Sequence, residues 1–206
     1  MITLDDLAPA PVAWRFVLLN KPRNTVTTSR DPEGRRTVYD VLGEAGRRVK
    51  TVGRLDFASS GLLLLTTDMQ LANWLADPSS ALRRTYVATI RGRADETLAA
   101  RAMEGVRDRG ELLRASSVAL MKVSGRESRL RVELAEGKNR EIRRLFAALG
   151  HEVTRLIRVA FGPFELGDLL PGQWRELSRQ DVDRALAALT PASTRQSARR
   201  HGDIAP

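Results

Sequence analysis

The chain has 206 residues, with 34 lysines and arginines against 25 aspartates and glutamates, so its formal net charge is +9 and its sequence pI is near 11.0. It contains no cysteine, which excludes a disulfide framework, a thiolate nucleophile and a zinc-finger spacing. The charge favours a polyanionic partner, nucleic acid before membrane, because no amphipathic basic helix with an aromatic face is evident. Charge alone leaves the partner open, since solvated basic surfaces also occur in proteins that bind no nucleic acid.

The two ends of the chain differ in composition from the region between them. Residues 1–13 are acidic and contain proline, which predicts a flexible leader rather than a signal or transit peptide. Residues 191–206 are polar and basic, which predicts a disordered tail. No apolar run approaches the roughly 20 residues of a membrane span. The sequence therefore predicts a soluble cytoplasmic protein whose folded domain covers residues 14–190.

The domain begins with short elements and leads into a long apolar run. Residues 15–19 predict a strand, residues 25–28 a strand-like segment, and Thr37 can cap a helix that ends at Leu42. Residues 51–68 then read TVGRLDFASSGLLLLTTD. A run of leucines closed by hydroxyls and an aspartate predicts a strand buried on both faces.

Asp56 lies just before that strand and is the only carboxylate in residues 51–67. A charge beside a core strand costs free energy unless something pairs with it or uses it. Arg54 is two residues away. From spacing alone, an aspartate in a turn is more often a structural hydrogen-bond acceptor, so a structural and a catalytic role both stay open here.

The middle of the chain alternates short helices and strands. Asp68 can cap a helix over residues 69–76 that buries Leu71, Leu75 and Trp74. An alternating strand at residues 84–90 carries Tyr86, a position that is more often core-facing than ligand-stacking. A helix from Asp95 to Met103 follows, and then a hairpin of two strands at residues 117–123 and 129–134.

The strongest helical pattern lies in the segment EGKNREIRRLFAALG, with an N-cap at Asn139 and a stop at Gly150. Its apolar residues recur at helical spacing: Ile142, Leu145, Phe146 and Leu149. Strands at residues 153–161 and 173–177 and a final helix over 181–189 complete the domain. Because strands and helices mix without a regular βαβ rhythm, the predicted class is α+β with a largely antiparallel sheet.

Cations crowd the start of this helix: Lys138, Arg140, Arg143 and Arg144. The macrodipole makes a helix N-terminus attract anions, so cations there are unfavourable unless the helix end faces an anion. An RNA phosphate or the Asp56 carboxylate would be such an anion. The simpler alternative is that these side chains are solvated and offset by Glu136 and Glu141.

Other chemistries have little support in the sequence. His151 and His201 are the only histidines, which disfavours a histidine metal site and a Ser-His-Asp triad. No glycine-rich nucleotide-binding motif appears, so neither a metal nor a cofactor is predicted. A two-carboxylate hydrolase needs a second acid directed at the same site as Asp56, and the sequence nominates none.

The run VGRLDFASSGLLLLTTD resembles the central motif of the pseudouridine synthases that modify ribosomal RNA, the branch typified by the small-subunit uridine enzyme. That pattern is Arg-Leu-Asp, two variable residues, Thr or Ser, one variable residue, then Gly-Leu-Leu-Leu-Leu-Thr. Three further segments resemble the same branch in the same order: LLNKPRNTVTT, RRTYVATIRG and EGKNREIRRLFAALGHEVTRLIRVAFGPFELGDLLPGQWREL. The resemblance covers about residues 15–178.

The resemblance implies a pseudouridine synthase fold, in which a mixed, mostly antiparallel central sheet of two α+β subdomains is flanked by helices and the active-site cleft lies between them. It implies that Asp56 is the catalytic nucleophile and that Arg54 helps to hold the flipped nucleotide through its phosphate. Tyr86 would pack on the target uracil, Arg143 would pair with Asp56, and Ile142 would form an apolar wall. A uridine inside folded RNA must leave its stack to reach such a site.

The same resemblance implies RNA contacts by a set of polar and basic residues: Lys21, Arg84, Lys138, Asn139, Arg140 and Arg144. It implies no cofactor and no metal, since the reaction is an isomerisation. The expected partner is ribosomal RNA or a ribosomal precursor particle, bound by a monomer with no membrane association.

The chain departs from the family pattern at three points, of which only the last bears on the substrate. Ser59 stands where threonine is commoner, Arg84 replaces a lysine, and the chain has no room for the small RNA-binding domain that precedes many members. In lacking that domain the chain resembles the shorter large-subunit members, which favours 23S rRNA as the substrate. A non-catalytic rRNA-binding assembly factor on the same fold is the alternative function.

Overall fold

The computed structural model describes residues 12–189. The leader expected at residues 1–13 lies outside this range except for its last two residues, and the tail expected at residues 191–206 lies wholly outside it. Eleven strands, β1 to β11, cover Phe16–Lys21, Lys50–Thr51, Ser60–Thr66, Arg84–Arg91, Val106–Asp108, Glu111–Leu113, Ser117–Val123, Glu127–Leu134, Val153–Phe161, Phe164–Glu165 and Trp174–Leu177. Five α-helices, α1 to α5, cover Val38–Leu42, Met69–Ala76, Glu96–Glu104, Glu141–Ala148 and Arg179–Ala187.

A nine-stranded sheet runs through the molecule in the order β11-β1-β3-β9-β4-β8-β7, with β2 paired to β3 and β10 paired to β9. Every described pairing in it is antiparallel except that of β3 with β9. The parallel pairing joins the half of the sheet that contains β1 and β3 to the half that contains β4 and β8. The predicted α+β class with a mixed, mostly antiparallel sheet is confirmed.

Strand β3 is buried along its whole length, as the leucine run predicted. Its side chains alternate between two hydrophobic clusters: Leu63 and Leu65 face one, and Leu62 and Leu64 face the other. Helices α1, α3 and α4 cover the first cluster, and α2 and α5 cover the second. Each fully buried leucine contributes about 1.5–3 kcal/mol relative to exposure, so this strand anchors both layers of the fold.

The parallel junction depends on a glycine. Gly61 is opposite Arg158 of β9, and its φ is +103°. A Cβ at Gly61 would lie 2.2 Å from the carbonyl oxygen of Arg158 and 2.7 Å from its nitrogen. Only a residue without a side chain lets the two backbones approach this closely.

Several local expectations were wrong. The strand expected at residues 25–28 is a single bridge between Val26 and Thr37. Helix α2 buries Ala72 and Leu75, whereas Trp74 remains 47% exposed. Helix α4 begins after Arg140 rather than after Asn139, and no side chain caps it.

The hairpin of β5 and β6 was not predicted, because its strands have only three residues each.

Candidate active site

A cavity of about 290 Å³ lies above the junction of the two halves of the sheet. Ligand sites in proteins range upward from about 300 Å³, so this volume suits a single nucleoside rather than a duplex. The cavity is open on one side, and its wall includes most of the residues singled out in the sequence: Arg54, Asp56, Arg84, Tyr86, Lys138, Arg140 and Ile142.

The loop that carries Asp56 is fixed by hydrogen bonds that side chains donate to its backbone. Thr27 donates from Oγ1 to the carbonyl of Leu55 at 2.8 Å. Lys21 donates from Nζ to the carbonyl of Ser59 at 2.8 Å, and Arg143 donates from Nη2 to the carbonyl of Ala58 at 3.3 Å. The loop is thus held on both sides of Asp56, which presents the carboxylate in a fixed position.

The Asp56 carboxylate is partly exposed, with 30% of its side chain accessible to solvent. Its ion pair is with Arg140, whose Nη1 lies 3.7 Å from Oδ2, and not with Arg143 as expected. Arg140 is the N-cap of α4 and has left-handed backbone angles. Half of its side chain is exposed, so this pair lies at the mouth of the cavity.

Arg143 acts on the backbone instead of on the carboxylate. Its Nη1 donates to the carbonyl of Val153 at 2.7 Å and its Nη2 to that of Ala58, which ties α4 to β9 and to the Asp56 loop. Burial is the main cause of its lowered pKa, and the charge of Arg140 adds to the shift while that of Asp56 opposes it. Arg143 is therefore close enough for the charge of Asp56 to affect its pKa, but its hydrogen bonds go to two backbone carbonyls.

We expect Arg143→Met to slow the reaction of the site by about 10²-fold, because a small displacement of a reacting group costs about that much. The two carbonyls it serves would lose a charge-assisted donor, which should lower the free energy of unfolding by about 1–3 kcal/mol. Turnover of substrate RNA and thermal unfolding measure the two effects. Arg143→Lys should recover part of both, and a variant with unchanged turnover would contradict the tethering role.

Tyr86 and Ile142 form apolar parts of the cavity wall. Tyr86 of β4 is 9% exposed and Ile142 of α4 is 2% exposed. The aromatic face of a tyrosine can stack on a planar base, and an adjacent aliphatic wall excludes water from it. The structure brings both residues to the same cavity as Asp56.

Two residues expected to bind RNA are buried inside the protein. Lys21 is fully buried and donates to the carbonyls of Pro22 and Ser59; burial lowers its pKa to about 8, although the charge of Asp56 opposes that shift. Arg84 is 6% exposed and donates to the carbonyls of Leu82, Ala135 and Ala76. These cations serve backbone oxygens, and Arg84 also lines the cavity; their expected contacts with RNA stay predictions.

Arg144 is also not a surface cation. Its Nε donates to Asp108 and its Nη1 to Glu111, both at 2.6 Å, and 14% of its side chain is exposed. It fastens α4 to the β5–β6 hairpin, and its expected contact with RNA stays a prediction.

Lys138 and Arg140 lie at the rim of the cavity, whereas Asn139 does not line it. Lys138 pairs with Glu136 at 2.8 Å and donates to the carbonyl of Leu112, and the hydrogen bond that it donates to Glu136 is the main cause of its raised pKa. Asn139 is exposed beside it. Together with the exposed Arg54, the rim residues place donors around the cavity mouth.

Sequence reasoning missed Arg158 of β9. Arg158 is 3% exposed, lines the cavity and donates from Nε to the carbonyl of Leu62 at 2.7 Å. The sequence signal was a cation inside the otherwise apolar strand run LIRVAF.

Two negative findings apply to residues 12–189. No group of three or more His, Cys, Asp or Glu side chains in this range is arranged to hold a metal ion. None of the helices in this range has the length and apolar character needed to cross a membrane.

Comparison with known proteins identifies the family. Residues 15–148 match the RNA pseudouridylate synthase family. An RNA pseudouridine synthase of Aquifex aeolicus described as uncharacterized is 33% identical over 92% of this chain and 76% of its own length. The ribosomal large subunit pseudouridine synthase B of Haemophilus influenzae is 40% identical over 87% of this chain. The matched region covers 51% of that protein's length.

Solved structures agree with this assignment. A crystal structure of a pseudouridylate synthase is similar with a TM-score of 0.72 and 28% identity, covering 84% of this chain and 74% of the other. The chain belongs to the RNA pseudouridylate synthase family, and its sheet and flanking helices form a pseudouridine synthase fold.

Proposed function

We propose that the protein is an isomerase that converts a specific uridine of ribosomal RNA into pseudouridine, with Asp56 as the nucleophile. The observation that carries the proposal is the placement of Asp56, Tyr86 and Ile142 around one cavity with arginines at its mouth. Relatives named for the large ribosomal subunit, at 40% identity in Haemophilus influenzae, favour 23S rRNA as the substrate.

The geometry suits a base removed from its stack. The cavity of about 290 Å³ accepts one nucleoside but no duplex, so the target uridine is flipped out of the RNA before it reacts. Its uracil ring stacks on Tyr86 with Ile142 beside it. The energetic cost of unstacking is offset by that contact and by phosphate contacts at the mouth.

The reaction needs bonds to be exchanged within one nucleoside. The bond from ribose C1′ to uracil N1 breaks, the base rotates, and a new bond joins C1′ to C5, while the C5 proton is lost and N1 gains one. Asp56 attacks the nucleoside as the covalent nucleophile, and the bond that it forms breaks again before pseudouridine leaves, which restores the free carboxylate. Its ion pair with Arg140 places a guanidinium beside the attacking carboxylate.

Arg140 also has a second role in the proposal. Its ion pair with Asp56 is long, at 3.7 Å, and half of its side chain is exposed. An incoming RNA phosphate at the mouth can therefore compete for the guanidinium. Arg54, exposed on the same rim, binds the phosphate of the flipped nucleotide.

We expect Arg140→Ala to weaken RNA binding several-fold and to reduce the slope of log K against log salt by about 1, as the loss of one phosphate contact does. Arg144→Ala is the matched control, because Arg144 is on the same helix end but pairs with Asp108 and Glu111. It should lower the Tm and leave the salt slope unchanged. Equal salt slopes for Arg140→Ala and the parent protein would remove Arg140 from the RNA interface.

Mapping of pseudouridine in rRNA from cells with and without the gene tests the function. The proposal predicts that one pseudouridine is missing from the rRNA of cells without the gene and returns when a plasmid copy is supplied. The names of the relatives favour a position in 23S rRNA. Identical maps would reject it. We place the protein in the cytoplasm as a monomer acting on rRNA or its precursor particle, which fractionation and sedimentation of the tagged protein would check.

A further inference from the structure

Arg158 is a buried cation on the inner wall of the cavity, and the proposed chemistry gives it no role. Its side chain is 3% exposed, and its guanidinium lies 5.1 Å from the centroid of the Phe161 ring. Nε donates to the carbonyl of Leu62, but Nη2 is buried and has no hydrogen-bond partner among residues 12–189.

No carboxylate of residues 12–189 forms an ion pair with this charge. The ion pairs formed within 4.0 Å by residues 12–189 do not include Arg158, and they do not include the neighbouring buried cations Lys21 and Arg84. Buried charges in proteins are normally paired, and buried donors are normally bonded. An uncompensated arginine with a free N–H in a cavity wall therefore indicates a group that enters the cavity and accepts that hydrogen bond.

The position of Arg158 relative to Tyr86 narrows the identity of that group. Tyr86 of β4 and Arg158 of β9 are direct cross-strand partners. Such partners project from the same face of a sheet with Cβ atoms about 4.5–5.5 Å apart. Both line the cavity, so Arg158 lies at the edge of any ring that stacks on Tyr86.

We propose that Arg158 donates a hydrogen bond from Nη2 to a carbonyl oxygen of the flipped uracil, which rests on the proposed function. A phosphate is the poorer fit for Arg158. Phosphates remain ionised and well hydrated, and the exposed Arg54 and half-exposed Arg140 meet them at the mouth, whereas Arg158 is on the inner wall.

The contact gains strength during the reaction. When the bond from C1′ to N1 breaks, its electron pair leaves with the base, and the negative charge spreads over N1 and the two carbonyl oxygens. A guanidinium already fixed against that oxygen stabilises this charge without reorganising. When C5 bonds to C1′, C5 loses its proton, N1 gains one and the base is neutral again. Because the interaction is stronger in the transition state than in the bound substrate, it acts on kcat more than on KM.

The test combines enzyme variants with altered acceptors. Three synthetic RNA hairpins carry uridine, 2-thiouridine or 4-thiouridine at the position that the wild-type protein modifies in rRNA. The variants are Arg158→Met, which removes the donor, and Arg158→Lys, which keeps the charge without the forked donor. Arg155→Met is the control, because Arg155 is on the same strand but exposed. Thermal unfolding verifies that each variant is folded, and Arg158→Lys carries the comparison if Arg158→Met is not.

The inference predicts that Arg158→Met lowers kcat on the uridine hairpin by about 10²-fold with little change in KM. With the thio hairpin whose sulfur replaces the oxygen that Arg158 contacts, the ratio of the wild-type rate to the Arg158→Met rate should be at least tenfold smaller than with the uridine hairpin. Sulfur is a weak hydrogen-bond acceptor, so the wild-type protein loses its advantage over the variant. Arg155→Met should match the wild type. Equal ratios on all three hairpins would show a purely structural role and overturn the inference while leaving the proposed function intact. A wild-type protein that forms no pseudouridine would instead reject the function itself.

Discussion

Replacing Asp56 with asparagine is expected to lower pseudouridine formation by at least about 10⁴-fold. The amide has the shape of the carboxylate but is not a nucleophile, so the covalent step is lost. The fold should survive, because the side chain is 30% exposed and its 3.7 Å ion pair with Arg140 contributes at most about 1 kcal/mol. Single-turnover assays on rRNA, RNA binding and thermal unfolding measure the three quantities separately.

Asp168→Asn is the matched control for this variant. Asp168 is an exposed aspartate that does not line the cavity, so its loss removes the same charge at another place. We expect full activity for Asp168→Asn. An Asp56→Asn protein that binds RNA and still turns over within tenfold of the wild type would remove Asp56 from the catalytic role.

Replacing Gly61 with alanine is expected to lower the free energy of unfolding by about 2–6 kcal/mol, the sum of backbone strain at positive φ and overpacking. The added Cβ would lie 2.2 Å from the carbonyl oxygen of Arg158, which belongs to the backbone of β9 and cannot turn aside. The parallel junction of β3 and β9 would have to open, and it supports both the Asp56 loop and Arg158. Denaturant unfolding measures the loss.

Gly110→Ala separates the two contributions. Gly110 also has positive φ, +83°, but an added Cβ would meet nothing within 4 Å. It should therefore lose only the strain component, about 1–2 kcal/mol. If Gly61→Ala were no more destabilising than Gly110→Ala, the close approach of β3 to β9 would not be a constraint on the sequence.

The main elements of the fold could be predicted from local patterns. The run of leucines at residues 62–65 indicated a strand buried on both faces, and β3 is buried throughout. The periodicity of the segment around Phe146 indicated α4, although its N-cap is Arg140 in a left-handed conformation rather than Asn139. The β5–β6 hairpin escaped prediction because three residues are too few to show a period.

The site was harder to predict because the partner of a cation is a tertiary property. Arg140, Arg143 and Arg144 have the same charge and lie close together in the chain, yet their partners differ. Arg140 pairs with a carboxylate in the cavity, Arg143 donates to two backbone carbonyls, and Arg144 pairs with the β5–β6 hairpin. The hairpin partner Asp108 is 36 residues from Arg144 along the chain. Arg158 was missed for the same reason, since its role depends on its cross-strand position opposite Tyr86.

The central claim is that a uridine leaves its RNA and enters the cavity between Asp56 and Tyr86. The most direct measurement is a crystal structure of the protein bound to its target hairpin with an unreactive uridine analogue at the modified position. We predict that the uracil ring stacks on Tyr86 and that C1′ lies about 3–3.5 Å from an Asp56 oxygen. A base still stacked within the RNA, or RNA bound on another face with the cavity unfilled, would contradict the account.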